Sequence, residues 1–499
     1  MFNIILDKYS QKKLTLLNLV YRTSTLSSHF LANQLNISVR SVNRYVHDIN
    51  KEIALLYEKE NFLQSDGLTY YRIDPKLNNL EALDTFYHLK LYYLNLSLPF
   101  QLLLRLSTNE KISVSRLLDE LIISSSYLFR VIKKLKTFLK KFGIEIKIDK
   151  HNKIFLTGEE KKIRIFLFYF LTDSFQGIEW PFKSISKLEI QKLTMDEEIY
   201  LSNSRESSLY FFIAILVNRL ANRHVIQTIN TYLATILDIF SKTGHGQRSL
   251  ILKKFLIDDK TKESEIIYYD YMIAALVPES ISKKEQQMIG RMLFKQDHEI
   301  ILLCKQLIQN ITTKYNITLE LNERYQELYK FVLFFVSLIE QNQDLISAEK
   351  ISFPSYNYNL AVSASDEESI KEIYNKILRN IALSPYLKQK LQITKNRNAV
   401  YRLISNFAQS FHKEKIFICI QMTKSIHAKD YIKRRLLNFF NDQTICFIEN
   451  QKKADVIITD IFRVESKQSV FFIYDLKSRL EWEKLTTFIQ SLLLEGIFM

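Results

Sequence analysis

A chain of 499 residues is too long for one ordinary core, and its 47% hydrophobic and 13% aromatic residues give ample material to bury; a disordered chain is excluded and about three to five domains are expected. The formal charge of +15 points to a polyanionic partner, either nucleic acid or an acidic membrane surface. Up to Arg164 there are 26 Lys and Arg against 16 Asp and Glu, so two-thirds of the excess lies in the first third of the chain and places the anion-binding end there.

The opening residues MFNIILDKYSQKK lack the apolar core and small-residue cleavage site of a secretion signal, and no apolar run reaches spanning length without a polar break. Cys304, Cys419 and Cys446 sit in apolar runs without metal-ligand spacing, which suits buried thiols in a reducing compartment. The expectation is a cytoplasmic protein with no metal, no cofactor and no membrane partner. Eight glycines and six prolines argue for a mainly helical chain with short connections.

From the N-terminus, Leu14, Leu16, Leu17 and Val20 mark a leading helix, Ser27 to Leu35 the next, Asn36 to Ser38 a turn, and Val39 to about Asn50 a second helix. Phe62 to Ile73, turning at Asp66 and Gly67, reads as a hairpin wing. Ala32 suits the close crossing of the two helices. The pattern predicts a winged helix-turn-helix over 1–78. Leu80 to Leu98, apolar at helical spacing and ending before Pro99, predicts a connecting helix over 79–99.

A second copy follows over 100–164. Val114 to Leu121, with Leu117, Leu118 and Leu121 as its apolar stripe, is the first helix, and Ile122 to Ser124 is the turn. Serines 124 to 126 offer N-cap oxygens to a helix running to about Lys141. Leu128, Val131, Ile132, Leu135 and Phe138 take its inner face and leave Arg130, Lys133, Lys134, Lys136, Lys140 and Lys141 outside. After Gly143, Ile144, Ile146 and Ile148 alternate with polar residues, which predicts a two-stranded wing turning at Lys150 to Asn152. Leu35 and Leu121 lie 86 positions apart, and the same step carries Ile37 to Ile123, Ser38 to Ser124, Val42 to Leu128, Tyr45 to Val131, Ile49 to Leu135, Arg44 to Arg130 and His47 to Lys133. This is an internal repeat.

Such a motif lays its second helix in the major groove of duplex DNA, where Arg, Asn and Ser reach base edges and lysines reach phosphates. The candidate contacts are Arg40, Ser41, Asn43, Arg44 and His47 in the first motif, and Ser125, Ser126, Arg130, Lys133 and Lys134 in the second. His47 reads equally as a contact or an ordinary surface histidine, and a charge run by itself is commonly a solvated helix face. Here a basic helix followed by a wing favours nucleic acid.

The run Leu156-Thr157-Gly158-Glu159-Glu160-Lys161-Lys162-Ile163-Arg164, opening a helix from Ile165 to Leu171, resembles the wing-to-helix junction of regulators that carry phosphotransferase-system regulation domains; Glu159, Ile163 and Arg164 are its most specific part. With the paired motifs, the order of regions and the length, the chain resembles the Mga and RofA-like virulence regulators of Gram-positive cocci. The resemblance implies two helical-bundle regulation domains, matched here by the Ile, Leu, Phe and Tyr-rich blocks 165–285 and 286–395, in which histidine phosphorylation adds charge and shifts a dimer interface. The histidines in these blocks are His224, His245 and His298, each of which also reads as an ordinary surface or core residue. In that family a basic residue and a histidine close the helix equivalent to Leu209 to Leu220; this chain has Asn218, Arg219 and Leu220 there, with His224 a turn later.

Over 413–499 the period changes. Strands at Lys415 to Gln421, Thr444 to Ile448, Ala454 to Thr459 and Val470 to Ile473, with helices at His427 to Phe440 and Leu480 to Leu494, predict a small α/β domain with a parallel sheet. It resembles a phosphotransferase IIB component. Gln421, Met422 and Thr423 occupy the loop where a working thiolate would stand and Cys419 lies within the strand, so no phosphoryl transfer is expected.

No Gly-rich phosphate loop, HExxH, GxSxG or clustered Cys and His is present, so the chain is not expected to be an enzyme. The expected partners are double-stranded promoter DNA, a second copy of the chain and, by resemblance, the phosphotransferase-system phosphocarrier protein. By the same resemblance the targets would be virulence or adhesin-type genes. The alternatives are an RNA-binding transcription antiterminator with the same regulation domains, against which the helical period of Leu14 to Asn50 speaks, and a phosphotransferase-type enzyme component.

Overall fold

The computed structural model describes residues 2–23, 25–58, 61–65, 70–74, 79–109, 111–194, 203–242, 255, 258–340, 364–411, 415–423, 427–441, 444–461, 469–473 and 475–498. The chain divides into two compact units, one of Met1–Gln296 with Tyr325–Asn357, the other of Asp297–Arg324 with Tyr358–Met499. Helix predominates, and the sheets are small.

In the first unit, after a short helix α1 (Phe2–Ile5), come α2 (Lys8–Thr23), β1 (Thr25–Ser27), α3 (Ser28–Leu35), α4 (Val39–Tyr57), β2 (Leu63–Ser65) and β3 (Tyr70–Ile73). Helix α4 runs well past Asn50 because Ile53 continues its buried face beside Val42, Tyr45, Val46 and Ile49. The wing turn at Asp66 and Gly67 lies outside the described residues. Then come α5 (Asn79–Leu96), α6 (Leu98–Thr108), β4 (Ile112–Ser113), α7 (Val114–Leu121), α8 (Ser125–Leu139), a 3₁₀ turn over Lys140–Phe142, β5 (Ile144–Ile148) and β6 (Lys153–Gly158).

The two halves repeat in detail. Each forms a three-stranded antiparallel sheet in which the strand before the helix pair joins the last wing strand, in the orders β1-β3-β2 and β4-β6-β5. Ser27 and Ser113 cap the first helix of each pair, and Ser38 and Ser124 cap the second. The turns close on a left-handed residue, Asn36 at φ 52° and Ile122 at φ 52°. Every one of these pairs is separated by the 86-residue step of the sequence repeat.

Two expected boundaries are displaced. Pro99 occupies the first turn of α6, where its missing N–H costs nothing and Ser97 supplies the cap, so the 99/100 boundary cuts a helix that leads the second motif as α2 leads the first. The boundary after Arg164 falls inside α9 (Glu160–Phe175), almost wholly buried from Ile163 onward. Phe138 of α8, Phe142, Phe166 and Phe170 of α9 and Phe100 of α6 follow one another at ring separations of 5.1 to 5.9 Å, so the second motif shares its core with the helices that follow. Those helices are α10 (Lys187–Thr194), α11 (Asn203–Ala221), α12 (Ala234–Ser241), α13 (Asp259–Leu276), α14 (Lys283–Phe294) and, after α15 (Glu299–Lys314), α16 (Leu321–Glu340). A Cβ on Gly290 of α14 would stand 1.9 Å from the Tyr325 carbonyl oxygen, so only glycine lets these backbones meet.

The expected block 286–395 is therefore split: α14 and most of α16 belong to the first unit. The second unit holds α15 (Glu299–Lys314), α17 (Ala364–Asn380), α18 (Pro385–Gln392) and α19 (Thr394–Phe411), with Glu299 accepting from both the backbone N–H and the hydroxyl of Ser384 at 2.6 Å. It continues with β7 (Ile416–Gln421), α20 (Ala428–Phe439), β8 (Ile445–Phe447), β9 (Val456–Thr459), β10 (Ser469–Phe472) and α21 (Arg479–Phe498). The sheet is parallel, in the order β10-β9-β7-β8. One face, through Ile416, Ile418, Ile420, Val456 and Ile458, packs on Ile432, Leu436, Trp482, Leu485 and Ile489 of the two helices.

Candidate nucleic-acid interface

In the first motif Ser38 accepts from the Ser41 N–H at 3.2 Å, which fixes the start of α4 and turns Arg40 outward. Arg40, Arg44 and His47 are exposed, while Ser41 and Asn43 are half-buried. Arg44 lies 5.6 Å from the Tyr9 ring and 5.7 Å from that of Tyr45, so aromatic faces limit where its guanidinium can go. The Tyr9 hydroxyl donates to Asp48, and burial together with that carboxylate pushes the phenol up to about 12. Asn43 is tied to the wing through a 2.8 Å bond with the Tyr71 hydroxyl. Asn50 pairs with both the N–H and C=O of Leu63, at 2.8 and 2.9 Å, and locks α4 to the wing.

Helix α4 carries two carboxylates near this face, Asp48 and Glu52, and both are engaged from within. Asp48 takes the Tyr9 hydroxyl, and Glu52 takes the Lys13 ammonium at 2.6 and 2.8 Å. The cations outside are left unopposed by them.

In the second motif Ser125, Ser126, Arg130, Lys133 and Lys134 are all exposed, as are Lys136, Lys140 and Lys141, and α8 contains no acidic residue. Glu120 on α7 is bound by Arg116 at 2.7 Å and Arg105 at 3.2 Å, hydrogen bonds that hold its carboxyl below the ordinary value. In the wing, Asp149 accepts from the N–H groups of His151 and Lys153 at 2.9 and 3.0 Å. The Lys153 bond is the main reason its carboxyl sits below 3.8, and the tight turn presents Lys150, His151 and Lys153 to solvent.

Two features were not singled out from sequence. The wing tip adds exposed cations beside α8. Tyr127, 43% exposed, lies one turn before Arg130, whose guanidinium is 6.0 Å from its ring, and Phe129, 45% exposed, lies on the flank of the basic row. The signal was available: at the 86-residue step they align with Ser41 and Asn43, already named in the first motif.

The junction after the wing differs from its sequence reading. Glu159 is exposed and pairs with Lys162 and Lys161. Its neighbour Glu160 is the structural residue, bound by Arg164 Nε at 2.9 Å and by Arg219 at 2.9 and 2.6 Å. Arg164 in turn makes a bidentate pair with buried Glu265, at 2.7 and 2.9 Å, and donates to the His224 carbonyl at 2.9 Å. Burial opposes the charge on Glu160, but the Arg219 hydrogen bond and the charges of both arginines outweigh it and hold the carboxyl below 4.5.

Of the three histidines, His224 lines a cleft of about 430 Å³ between the start of α9 and the turn after α11, beside Lys161 and Arg223. His298 caps α15 by accepting from the Ile300 N–H at 3.2 Å and belongs to the other compact unit. His245 lies outside the described residues. In the α/β region the loop after β7 has its Thr423 N–H and hydroxyl taken by Asp460 at 3.0 Å, and burial pushes the Cys419 thiol up. Among the described residues no helix is long and apolar enough to cross a membrane.

Residues 85–171, which span α5 to α9, match the model of the Mga helix-turn-helix domain. Over 388 residues the chain is 24% identical to the capsule synthesis positive regulator AcpB of Bacillus anthracis, covering 73% of this chain and 76% of the relative. Over 191 residues it is 24% identical to a Streptococcus pneumoniae protein named as a trans-acting regulator, covering 38% of this chain and 36% of that one. The chain thus carries a match to the Mga helix-turn-helix domain centred on its second motif and is similar to proteins named as regulators, which supports a regulator of transcription.

Proposed function

We propose that α4 and α8 enter successive major grooves of promoter DNA, with Arg40, Ser41, Asn43, Arg44 and His47 from the first and Ser125, Ser126, Arg130, Lys133 and Lys134 from the second as the contacting residues. The observation that carries this reading is the matched pair of motifs: both helices start from a serine cap after a left-handed turn residue, and both keep their cations outside. The internal engagement of Asp48 and Glu52 supports it, because a carboxylate left on that face would repel phosphate. The chain acts as an activator on virulence or adhesin-type genes; the Bacillus relative, named as a positive regulator of capsule synthesis, supports the activator part of this reading.

The helical region dimerises and tunes DNA binding in response to phosphotransferase status. His224 is the candidate phosphorylation site in the first unit, because its backbone is bound to Arg164 and thereby to the helix that emerges from the second wing. The α/β region supports assembly and transfers no phosphoryl group, since Asp460 holds the donors of Thr423 that an anion would need.

The test is a salt titration of binding to duplex DNA and to a structured RNA at equal phosphate concentration. Duplex preference with a steep fall in affinity as salt rises is expected. Preference for RNA would replace this reading with an antiterminator, and binding to neither would remove nucleic acid as the partner.

A further inference from the structure

The two candidate recognition helices do not carry the same chemistry. At the step of 86 residues Arg40 aligns with Ser126, Arg44 with Arg130 and His47 with Lys133, so the outermost row is polar or cationic in both. On the flank of that row Asn43 aligns with Phe129. Asn43 is half-buried and held by the Tyr71 hydroxyl, whereas Phe129 is 45% exposed. Helical geometry places Phe129 beside Ser125 and Ser126 one turn back and Lys133 one turn on, while Leu128, Val131, Ile132 and Leu135 face the core.

A single exposed aromatic ring is ordinary on a protein surface. This one is set in a helix face bearing Arg130, Lys133, Lys134 and Lys136 with no carboxylate on the helix. An apolar group among cations fits a partner that is anionic and yet offers apolar atoms at the same depth. The major groove of duplex DNA does so through the 5-methyl group of thymine, which projects among base edges flanked by phosphates. Resting on the reading that α8 enters that groove, we infer that Phe129 recognises thymine by contact with its methyl group. The first motif then discriminates bases by hydrogen bonds and the second in part by an apolar contact. One chain would recognise two unlike half-sites.

The experiment uses the full-length protein and the duplex it selects from a random-sequence library, with each thymine replaced in turn by deoxyuridine, which removes only the methyl group. Wild-type protein is expected to lose roughly fivefold in affinity at one or more thymines. Phe129→Ala should lose roughly the same on the unmodified duplex, show no further loss at those thymines, and keep the wild-type salt dependence because no ion pair is removed. Phe129→Leu, which keeps an apolar side chain, should retain the methyl sensitivity and serves as the folded control. If wild-type protein is indifferent to every methyl group, or if Phe129→Ala stays as sensitive as wild type, the inference fails while DNA binding stands. If wild-type protein selects no duplex, the inference and the DNA-binding reading fail together.

Discussion

Lys13 and Glu52 form a two-pronged ion pair at 2.6 and 2.8 Å, with the Lys13 side chain only 3% exposed. Glu52 also accepts from the Tyr93 hydroxyl, and the Lys13 ammonium lies 4.4 Å from the Tyr93 ring. These contacts bind α2, α4 and the connecting helix α5 into one body. About one turn back along α5, buried Lys90 donates to the Asp173 carbonyl at 2.8 Å and approaches its carboxylate at 3.1 Å, which fastens the same helix to α9. The first motif is thereby held in a fixed relation to the second.

Lys13→Ala should strand the Glu52 charge and destabilise the protein by roughly 3 kcal/mol, the lower end for a broken buried pair because Glu52 keeps some contact with water. Urea unfolding measures this. Lys13→Met combined with Glu52→Leu, which removes both charges, should recover a large part of the loss; an equal or larger loss in the double variant would show that the ion pair stabilises the fold beyond what apolar side chains at the same positions supply.

Replacing Arg130, Lys133 and Lys134 together by Ala should weaken binding on every duplex and lower the slope of log affinity against log salt by roughly three, since each side chain contributes about one phosphate contact. Arg44→Ala should instead change the selected sequence, because Tyr9 and Tyr45 position its guanidinium at the outer face of α4. Binding-site selection with both proteins separates the two roles. An unaltered motif with Arg44→Ala would assign that residue to phosphate.

Ile122 is β-branched, sits at φ 52° and is 90% exposed, so it strains the backbone without burying its side chain. Ile122→Asn, which installs the residue of the matching position Asn36, should stabilise the protein by about 1 kcal/mol, read as a rise in the urea midpoint. A loss of stability would mean that the isoleucine makes a contact in the assembled protein. Loss of DNA affinity without loss of stability would assign it to the interface.

Glu160 has its folded pKa held below 4.5, so it contributes stability that is present above the unfolded value and is lost as pH falls through the folded one. Wild-type protein should lose stability as the pH is lowered below 4.5, and Glu160→Gln should be less stable at neutral pH but show a shallower acid decline. Parallel declines in urea titrations across that range would assign the acid sensitivity to other carboxylates.

The repeat was legible in the chain because local rules govern it: serine caps, apolar residues at helical spacing and a turn of fixed length recur after 86 positions, and each occupies the matching place in the fold. The parallel sheet was legible for the same reason, through short apolar runs alternating with helices. Periodicity does not register where one core stops and another starts. Phe100, Phe138, Phe142 and Phe166 look alike as helix-face residues, and only their meeting shows that the second motif continues into α9.

The candidate site divides along the same line. The sequence alone determined which helices are basic, where each begins and which residues share their outer rows, because a helix of known start has a known face. Tertiary structure decided which charges remain available there, since Asp48 and Glu52 find their partners on other helices. It also decided between adjacent carboxylates. Glu159 and Glu160 are indistinguishable by composition, and it is the packing of α11 and α13 against α9 that buries Glu160 against two arginines and leaves Glu159 in water.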